Sequence, residues 1–583
     1  MSMNVLLITA DQLRGDSLGC AGHPVLSTPH IDALAAQGVR FAQHFTTATP
    51  CAPARASIHT GMYLSNHRVV SNGTPLEDRV SNWALEIAEG TNVQPALIGY
   101  TDLPVDPRTQ PSLASKELRS WEGGHLPGFR NLTEHSQMGS VGWLEANGVD
   151  LGPVLERIKT RGMASWNGYA GASDWLQVAK GTGSCEDAPP LPNGSPAPAA
   201  YPKEASDTYV LTSQAIDYIS TESSAGRKWV LHLSLMKPHP PFLAPEPYNL
   251  KYCPSTLPAS VRPLSVDAET KVHPYLAAVH AQGTGRPLVQ KDTGSIDDVT
   301  DEELRLLKAS YYGLISELDD NVGRLIDSLK QVGEYDNTLI VFTSDHGEMM
   351  GDHWLRGKLG FYDGAYRIPL IMRDPRPVAD GSRGSTVTAF TEHVDVAPTL
   401  LDYFALCIPR QCDGLSLRAF LENSTTPECW RSSVHFEHDF RFRVGKSLCA
   451  SRGLSMDDCS LIVLRTLTRK LVHFGGDLPP LLFDLHEDPS ESRNVAGEPD
   501  YSNDLIALLQ QMLSWRLRHN NRELTHLRVA TSGPMTRYNE STFQAEAATT
   551  EELLPSAPSR RAAKRFRMET ELAPQSEHSG VCE

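Results

Sequence analysis

Residues 3–12 read Met3-Asn4-Val5-Leu6-Leu7-Ile8-Thr9-Ala10-Asp11-Gln12. An apolar run this short, without alternation, predicts a strand buried on both faces, and such strands belong to parallel or mixed sheets covered by helices. No basic segment precedes it and it runs straight into Asp11 and Gln12, so it reads as a strand and not as a secretory leader. Three other segments repeat the pattern. Residues 95–99 precede Tyr100, Thr101 and Asp102; residues 228–235 precede Lys237 and His239; residues 337–343 precede Asp345 and His346. Any one of these polar ends is explained equally well by a turn or a helix cap. Four together predict one site, because ligands in open α/β sheets bind outside the carboxyl ends of strands.

Between the last two strands, Leu307, Tyr311, Leu314, Leu318, Val322, Leu325 and Leu329 recur at three- and four-residue spacing and predict a helix, with Gly333 at its C-terminal end. Strands thus alternate with helices, the mark of an α/β fold. Residues 181–202, rich in Pro, Gly, Ser and Ala, read as a surface loop. After a helix-like stretch at 394–403 the character changes, with shorter strands and a final helix around 502–519. The expected organisation is a catalytic domain over 1–405, a C-terminal subdomain over 406–530 and a disordered tail over 531–583. The basic cluster Arg560, Arg561, Lys564, Arg565 and Arg567 reads as part of a solvated tail, ahead of a nuclear address or an anionic-surface contact.

The 583 residues, 40% of them hydrophobic, suffice for a large core. A net charge of −17 argues against nucleic-acid binding. No apolar stretch reaches the roughly 18 residues of a membrane span, so no membrane partner is expected. The ten cysteines form no CxxC pair and, without a leader, predict no disulfide framework. The sequon at Asn131-Leu132-Thr133 then reads as a chance match, and a cytoplasmic address is expected.

The sharpest local signal is Cys51-Ala52-Pro53-Ala54-Arg55, followed by Ala-Ser-Ile-His-Thr60-Gly61. Pro53 suits the first turn of a helix and Gly61 its end. Cys51 is therefore expected at a helix N-terminus, where free N–H groups favour an anion or a negatively charged nucleophile. Arg55, one turn on, can pair with that anion or hold the nucleophile's loop. The bland reading is a buried cysteine ahead of an ordinary helix; the ordered helix and Gly61-Met62-Tyr63 that follow weigh against it. Asp11, Gln12, Asp345 and His346, with Cys51, form the expected metal set. Carboxylate, amide and imidazole suit one divalent ion, Mn²⁺ first, with Ca²⁺, Mg²⁺ or Zn²⁺ as alternatives. Lys358 is a candidate cation for the charged group or the leaving oxygen, and His239 a candidate general acid.

Together, Asp11 at a strand end, C-x-P-x-R, Ser344-Asp345-His346-Gly347-Glu348 and Gly357-Lys358 resemble the sulfatase branch of the alkaline phosphatase superfamily. The resemblance extends to the phosphonate monoester hydrolases through Ala10-Asp11-Gln12, Asn66-His67-Arg68 with Asn72, and Ala96-Leu-Ile-Gly-Tyr100. It continues through Pro238-His239-Pro-Pro-Phe242, Cys412-Asp-Gly-Leu-Ser-Leu and Leu513-Ser-Trp-Arg-Leu, so that it spans about residues 3–528. It implies a large mixed sheet sandwiched by helices, with a smaller C-terminal α+β subdomain. It implies that Cys51 is oxidised to formylglycine by a formylglycine-generating enzyme, and that the hydrated aldehyde attacks phosphorus or sulfur. It also implies that Arg55, Asn72, Tyr100 and Lys358 hold the charged oxygens, with Lys237 a further contact. The substrate is a small anionic ester. A homo-oligomer is expected.

Two departures from ordinary sulfatases favour the phosphonate hydrolases. Many sulfatases have a second Asp where this chain has Gln12, and a G-K-W-H segment where it has Gly99-Tyr100-Thr101-Asp102. Asp102 also departs from the phosphonate hydrolases, which have a hydroxyl there; an anionic Asp102 facing an anionic substrate would repel it. The competing readings are an aryl- or alkylsulfatase, separable by relative rates on phosphonate, phosphodiester and sulfate esters, and a binding protein that binds metal without turnover.

Overall fold

β1 (Asn4–Ala10) is apolar on both sides because both sides are covered. Leu6, Ile8 and Ala10 pack with Leu314, Leu318 and Leu325 of the long helix Asp301–Gln331. Val5 and Leu7 face the other way, onto Ile58, Val396 and Leu400. The remaining strands are β2 (Val39–Phe45), β3 (Ala96–Ile98), β4 (Arg130–Asn131), β5 (Val230–Leu235), β6 (Gly294–Ser295), β7 (Thr338–Ser344), β8 (Leu355–Arg356), β9 (Leu370–Arg373) and β10 (Ser385–Glu392). An eight-stranded sheet runs in the order β10-β2-β9-β7-β1-β5-β3-β4. Neighbouring strands are parallel except β9, which is antiparallel to β2 and β7. The sheet is therefore mixed and helix-covered, as expected. β6 and β8 form a separate short ladder.

A second sheet, β11 (Val434–Asp439), β12 (Ser460–Arg465), β13 (Arg469–Phe474) and β14 (Leu481–Asp484), is antiparallel throughout. The helix Ser502–Arg518 packs on it through Leu508 and Met512. The long helix opens with a full capping box between Thr300 and Glu303, and Gly333 follows its end at φ +74°, where a side chain would be strained.

The computed structural model describes residues 3–104, 106, 108–109, 126–133, 196, 198–199, 201–282, 294–423, 426–521, 527–530 and 533–536. The chain forms two compact units, Met1–Asn520 and Asn521–Glu583. In the second, Leu527–Ala530 pairs with Gly533–Thr536. The rest of the expected tail, with its basic cluster, and most of the 181–202 loop lie outside the described residues. Among the described residues, no helix is long and apolar enough to cross a membrane.

Candidate active site

β1, β5 and β7 are in register, so that Ala10 lies beside Leu235 and Ser344. The next residues of all three strands leave the sheet at one edge, and this brings Asp11, Gln12, Lys237, Asp345 and His346 to the same end. The helix Cys51–Thr60 points its first residue at that end, and Gly61 closes it at φ +71°. Asp413 holds this closing turn, with its N–H on the Gly61 carbonyl at 2.7 Å and its carboxylate accepting from Tyr63 N–H at 2.9 Å. The C-D-G motif thus fixes the far end of the Cys51 helix.

Ligand atoms of Asp11, Cys51, Asp345 and His346 all lie within 4.8 Å of one another, and all four residues are buried. The His346 Nδ1 faces the Gly347 carbonyl at 3.0 Å, which directs Nε2 to the Cys51 Sγ at 3.2 Å and to carboxylate oxygens of Asp11 and Asp345 at 3.6 and 3.7 Å. Burial keeps this imidazole neutral, the form that binds a metal. Asp11 Oδ1 is buried with no hydrogen-bond partner. Burial and the neighbouring Asp11 push Asp345 up to about 7. Burial also opposes ionisation of Asp11, but His239, Arg55 and Lys358 outweigh it and keep Asp11 charged. Two carboxylates, an imidazole and an orphaned buried oxygen fit a divalent cation, which would satisfy the oxygen and relieve the crowding of negative charge.

Gln12 adopts φ +68°, and its N–H donates to Asp345 Oδ1 at 3.0 Å. Its amide is held on both sides: Nε2 donates to Glu348 Oε2, and Oε1 accepts from Lys358 Nζ at 3.0 Å. Lys358 Nζ is also 3.1 Å from Cys51 Sγ. Glu348 takes two more N–H groups, from Met350 and Gly357, and so pins the segment that leads to Lys358. Sequence reasoning gave Glu348 no role, although it closes the S-D-H-G-E motif. It also missed Ser234, whose hydroxyl accepts from Arg55 at 2.7 Å.

Other expected contacts turn inward. Arg55, 1% exposed, bonds to Asp11 and Asp345 at 3.1 Å each and to the Tyr100 carbonyl, with Asp102 at 3.5 Å. It braces the carboxylates, because three acids compete for it in a buried space. Tyr100 donates its hydroxyl to Asp11 at 2.7 Å. Asn72 accepts from the Ala52 N–H at 3.0 Å and so holds the turn that presents Cys51. Asp102 is pushed up to about 8, chiefly by burial, with Arg55 acting against the rise. Lys237 puts its ammonium on carbonyls of its own loop, His239 O at 3.3 Å and Pro241 O at 3.5 Å. His239 is half-buried, and its Nδ1 is 2.8 Å from the Pro240 carbonyl. Burial, followed by Asp11, raises the Cys51 thiol well above its ordinary range.

The sulfatase family model matches residues 3–406, and the C-terminal model of N-sulphoglucosamine sulphohydrolase matches 351–519. A multifunctional alkaline phosphatase superfamily protein, PehA of Trinickia caryophylli, is 38% identical across 92% of this chain and 99% of its own length. An arylsulfatase of Clostridium perfringens is 29% identical across 86% of this chain and 92% of its own. Among solved structures, the phosphonate monoester hydrolase of Agrobacterium radiobacter superimposes with a TM-score of 0.79 at 39% identity, covering 92% of this chain and all of that one. With the strand-end cluster and the C-x-P-x-R helix in place, the chain belongs to the sulfatase family of the alkaline phosphatase superfamily and is an ester hydrolase.

Proposed function

We propose that the chain hydrolyses phosphonate monoesters and phosphodiesters, with sulfate monoesters as a second substrate class. The observation that carries this reading is the make-up of the anion pocket. Gln12 stands in place of a second carboxylate and Tyr100–Asp102 in place of a lysine and a histidine, in a chain similar end to end to a phosphonate monoester hydrolase. The arylsulfatase relative supports the second class. Phosphonate monoesters, phosphodiesters and sulfate monoesters share a single negative charge around a tetrahedral centre, so one pocket accommodates all three.

Asp11, Gln12, Asp345 and His346 would hold one divalent ion, Mn²⁺ by preference, which supplies Lewis-acid polarisation of a substrate oxygen and of the nucleophile. A formylglycine made from Cys51 by a formylglycine-generating enzyme would supply the hydroxyl nucleophile that the raised thiol does not. The chain's own residues do the rest. Asn72 fixes the turn under position 51. Arg55 and Tyr100 keep Asp11 ionised and aimed. Lys358, 3.1 Å from the position-51 side chain, faces the charge that develops there. His239 donates its Nδ1 hydrogen to the Pro240 carbonyl, so that in the protonated ring Nε2–H is the group that delivers a proton to the leaving oxygen and Nδ1–H is kept. We further propose a division into a catalytic domain to 405 and a C-terminal subdomain to 530, a cytoplasmic address and a homo-oligomer.

The test is a set of kcat/KM values on 4-nitrophenyl phenylphosphonate, bis-4-nitrophenyl phosphate and 4-nitrophenyl sulfate, with the mass of the peptide spanning 41–68 measured on the same sample. The phosphonate and diester should lead and the peptide should carry the aldehyde. Sulfate leading by an order of magnitude would make the enzyme a sulfatase first. Full activity with Cys51 entirely as thiol would end the formylglycine reading.

A further inference from the structure

Lys237 was expected to touch substrate, but its surroundings describe another task. The side chain is 2% exposed. Its ammonium is shared by the carbonyls of His239 and Pro241, and the carbonyl between them, Pro240 O, takes the His239 ring nitrogen. Three successive carbonyls thus meet one lysine and one imidazole, and the Pro241 carbonyl also accepts the Leu243 N–H at 2.8 Å. The lysine draws O239 and O241 to one partner, and O240 serves the ring. A carbonyl is the acceptor that selects the Nδ1–H tautomer and leaves proton exchange to Nε2.

The charge has a counterpart in the core. Glu317, on the long helix Asp301–Gln331, is 1% exposed, and neither of its carboxyl oxygens has a hydrogen-bond partner within 3.5 Å. Burial pushes Glu317 up to about 8, with the Ser206 hydroxyl and Lys237 acting against the rise. Lys237 is thus one of the charges that act on this buried carboxyl, and the loop it holds carries the half-buried His239.

We propose that Lys237 is a positioning residue for His239: it fixes the loop carbonyls that choose the imidazole's direction and tautomer, and it does not bind substrate. This rests on the reading of His239 as general acid, and the experiment separates the two. Lys237→Met keeps the stem and removes the ammonium; Lys237→Met/Glu317→Gln also removes the buried acid that would otherwise be left alone. Both are assayed in the metal-loaded, modified enzyme on aryl and alkyl esters of one acid, beside His239→Ala. In parallel, 15N-histidine NMR reads the His239 tautomer.

The double variant should recover thermal stability lost by the single one, yet both should lose about tenfold in kcat on alkyl esters and little on nitrophenyl esters, less than the roughly 10²–10⁴-fold effect of losing the acid itself. The His239 signals should change from one Nδ1–H tautomer to a mixture. A rise in KM at constant kcat would assign Lys237 to substrate binding and overturn the proposal. So would recovery of alkyl-ester rates in the double variant, which reduces Lys237 to charge compensation, or an unchanged tautomer. If His239→Ala shows no leaving-group dependence while the tautomer still shifts in Lys237→Met, the positioning stands and the general-acid reading falls.

Discussion

Two buried clusters of charge sit in this molecule, built from the same parts in different proportions. In the C-terminal sheet, Lys470 and Arg465 face Asp363 and Glu491. Lys470 reaches Asp363 at 2.9 Å and also bonds Glu491; Arg465 reaches Asp363 at 3.0 Å. Two cations meet two acids. Although burial works against ionisation, Lys470 and Arg465 hold Asp363 down at about 2, while burial raises Glu491 against the pull of Lys470. At the strand ends of the large sheet, Arg55 and Lys358 face Asp11, Asp102 and Asp345. There an oxygen is orphaned and Asp345 is pushed up to about 7. A structural cluster closes its own account of charge; a site that takes a cation leaves it open. The imbalance, more than the mere presence of carboxylates, singles out the second cluster as the candidate site.

The comparison can be broken most forcefully at position 51. Cys51→Ala should leave a folded protein that still binds metal, with activity down by about 10⁴-fold or more, the scale of losing a nucleophile. Rate assays beside elemental analysis decide this; substantial residual turnover would place the nucleophile elsewhere. Next in size, Asp345→Asn should lose bound metal and activity together. Treatment of the wild type with a chelator should lower its melting temperature, since an ion that binds only the folded state adds to stability. Full metal occupancy in an Asp11/Asp345 double variant would refute the ligand set.

The closed cluster should respond in stability alone. Lys470→Met strands the buried Glu491, leaves Asp363 to Arg465 alone, and should cost about 3–5 kcal/mol by denaturant titration, with the kcat of the folded fraction near that of the wild type. Asp363→Asn should show the smallest effect and a signature in pH. A carboxyl held below its unfolded value stabilises above about pH 4 and loses that contribution as pH falls toward 2. The Asp363→Asn deficit, on the order of 2 kcal/mol at pH 7, should therefore shrink between about pH 4 and pH 2. A deficit constant with pH would mean that the packing, and not the ion pair, is what matters there.

Much of this was legible in the chain. The uninterrupted apolar run in β1 required cover on both faces, and the structure supplies it. The helical spacing of Leu307 to Leu329 located the long helix, and the polar strand ends located the site. Partners were not legible. Arg55 sits one turn beyond Cys51 in sequence, which suggested an anion contact, yet the groups that claim it are Asp11 and Asp345, far away along the chain and close only through strand register. Lys237 looked like a site lysine because it follows a strand; nothing local reveals that the carbonyls of its own loop would hold it. The antiparallel β9 inside a parallel sheet is likewise set by pairings that no local pattern encodes.

The left-handed backbone at Gln12 bears on how such a site can change over generations. That conformation is kinder to Asp or Asn than to Gln, so the main chain itself would welcome a second carboxylate. The obstacle is the neighbour. The Gln12 amide donates to Glu348 while accepting from Lys358, and a carboxylate in its place could only accept, leaving two anions face to face. A two-aspartate site therefore calls for a change at Glu348 as well, with Gln12→Asp accompanied by a loss of charge there. The pair behaves as a ratchet: the step is easy for the backbone, blocked by one hydrogen bond, and open only to a lineage that changes both residues.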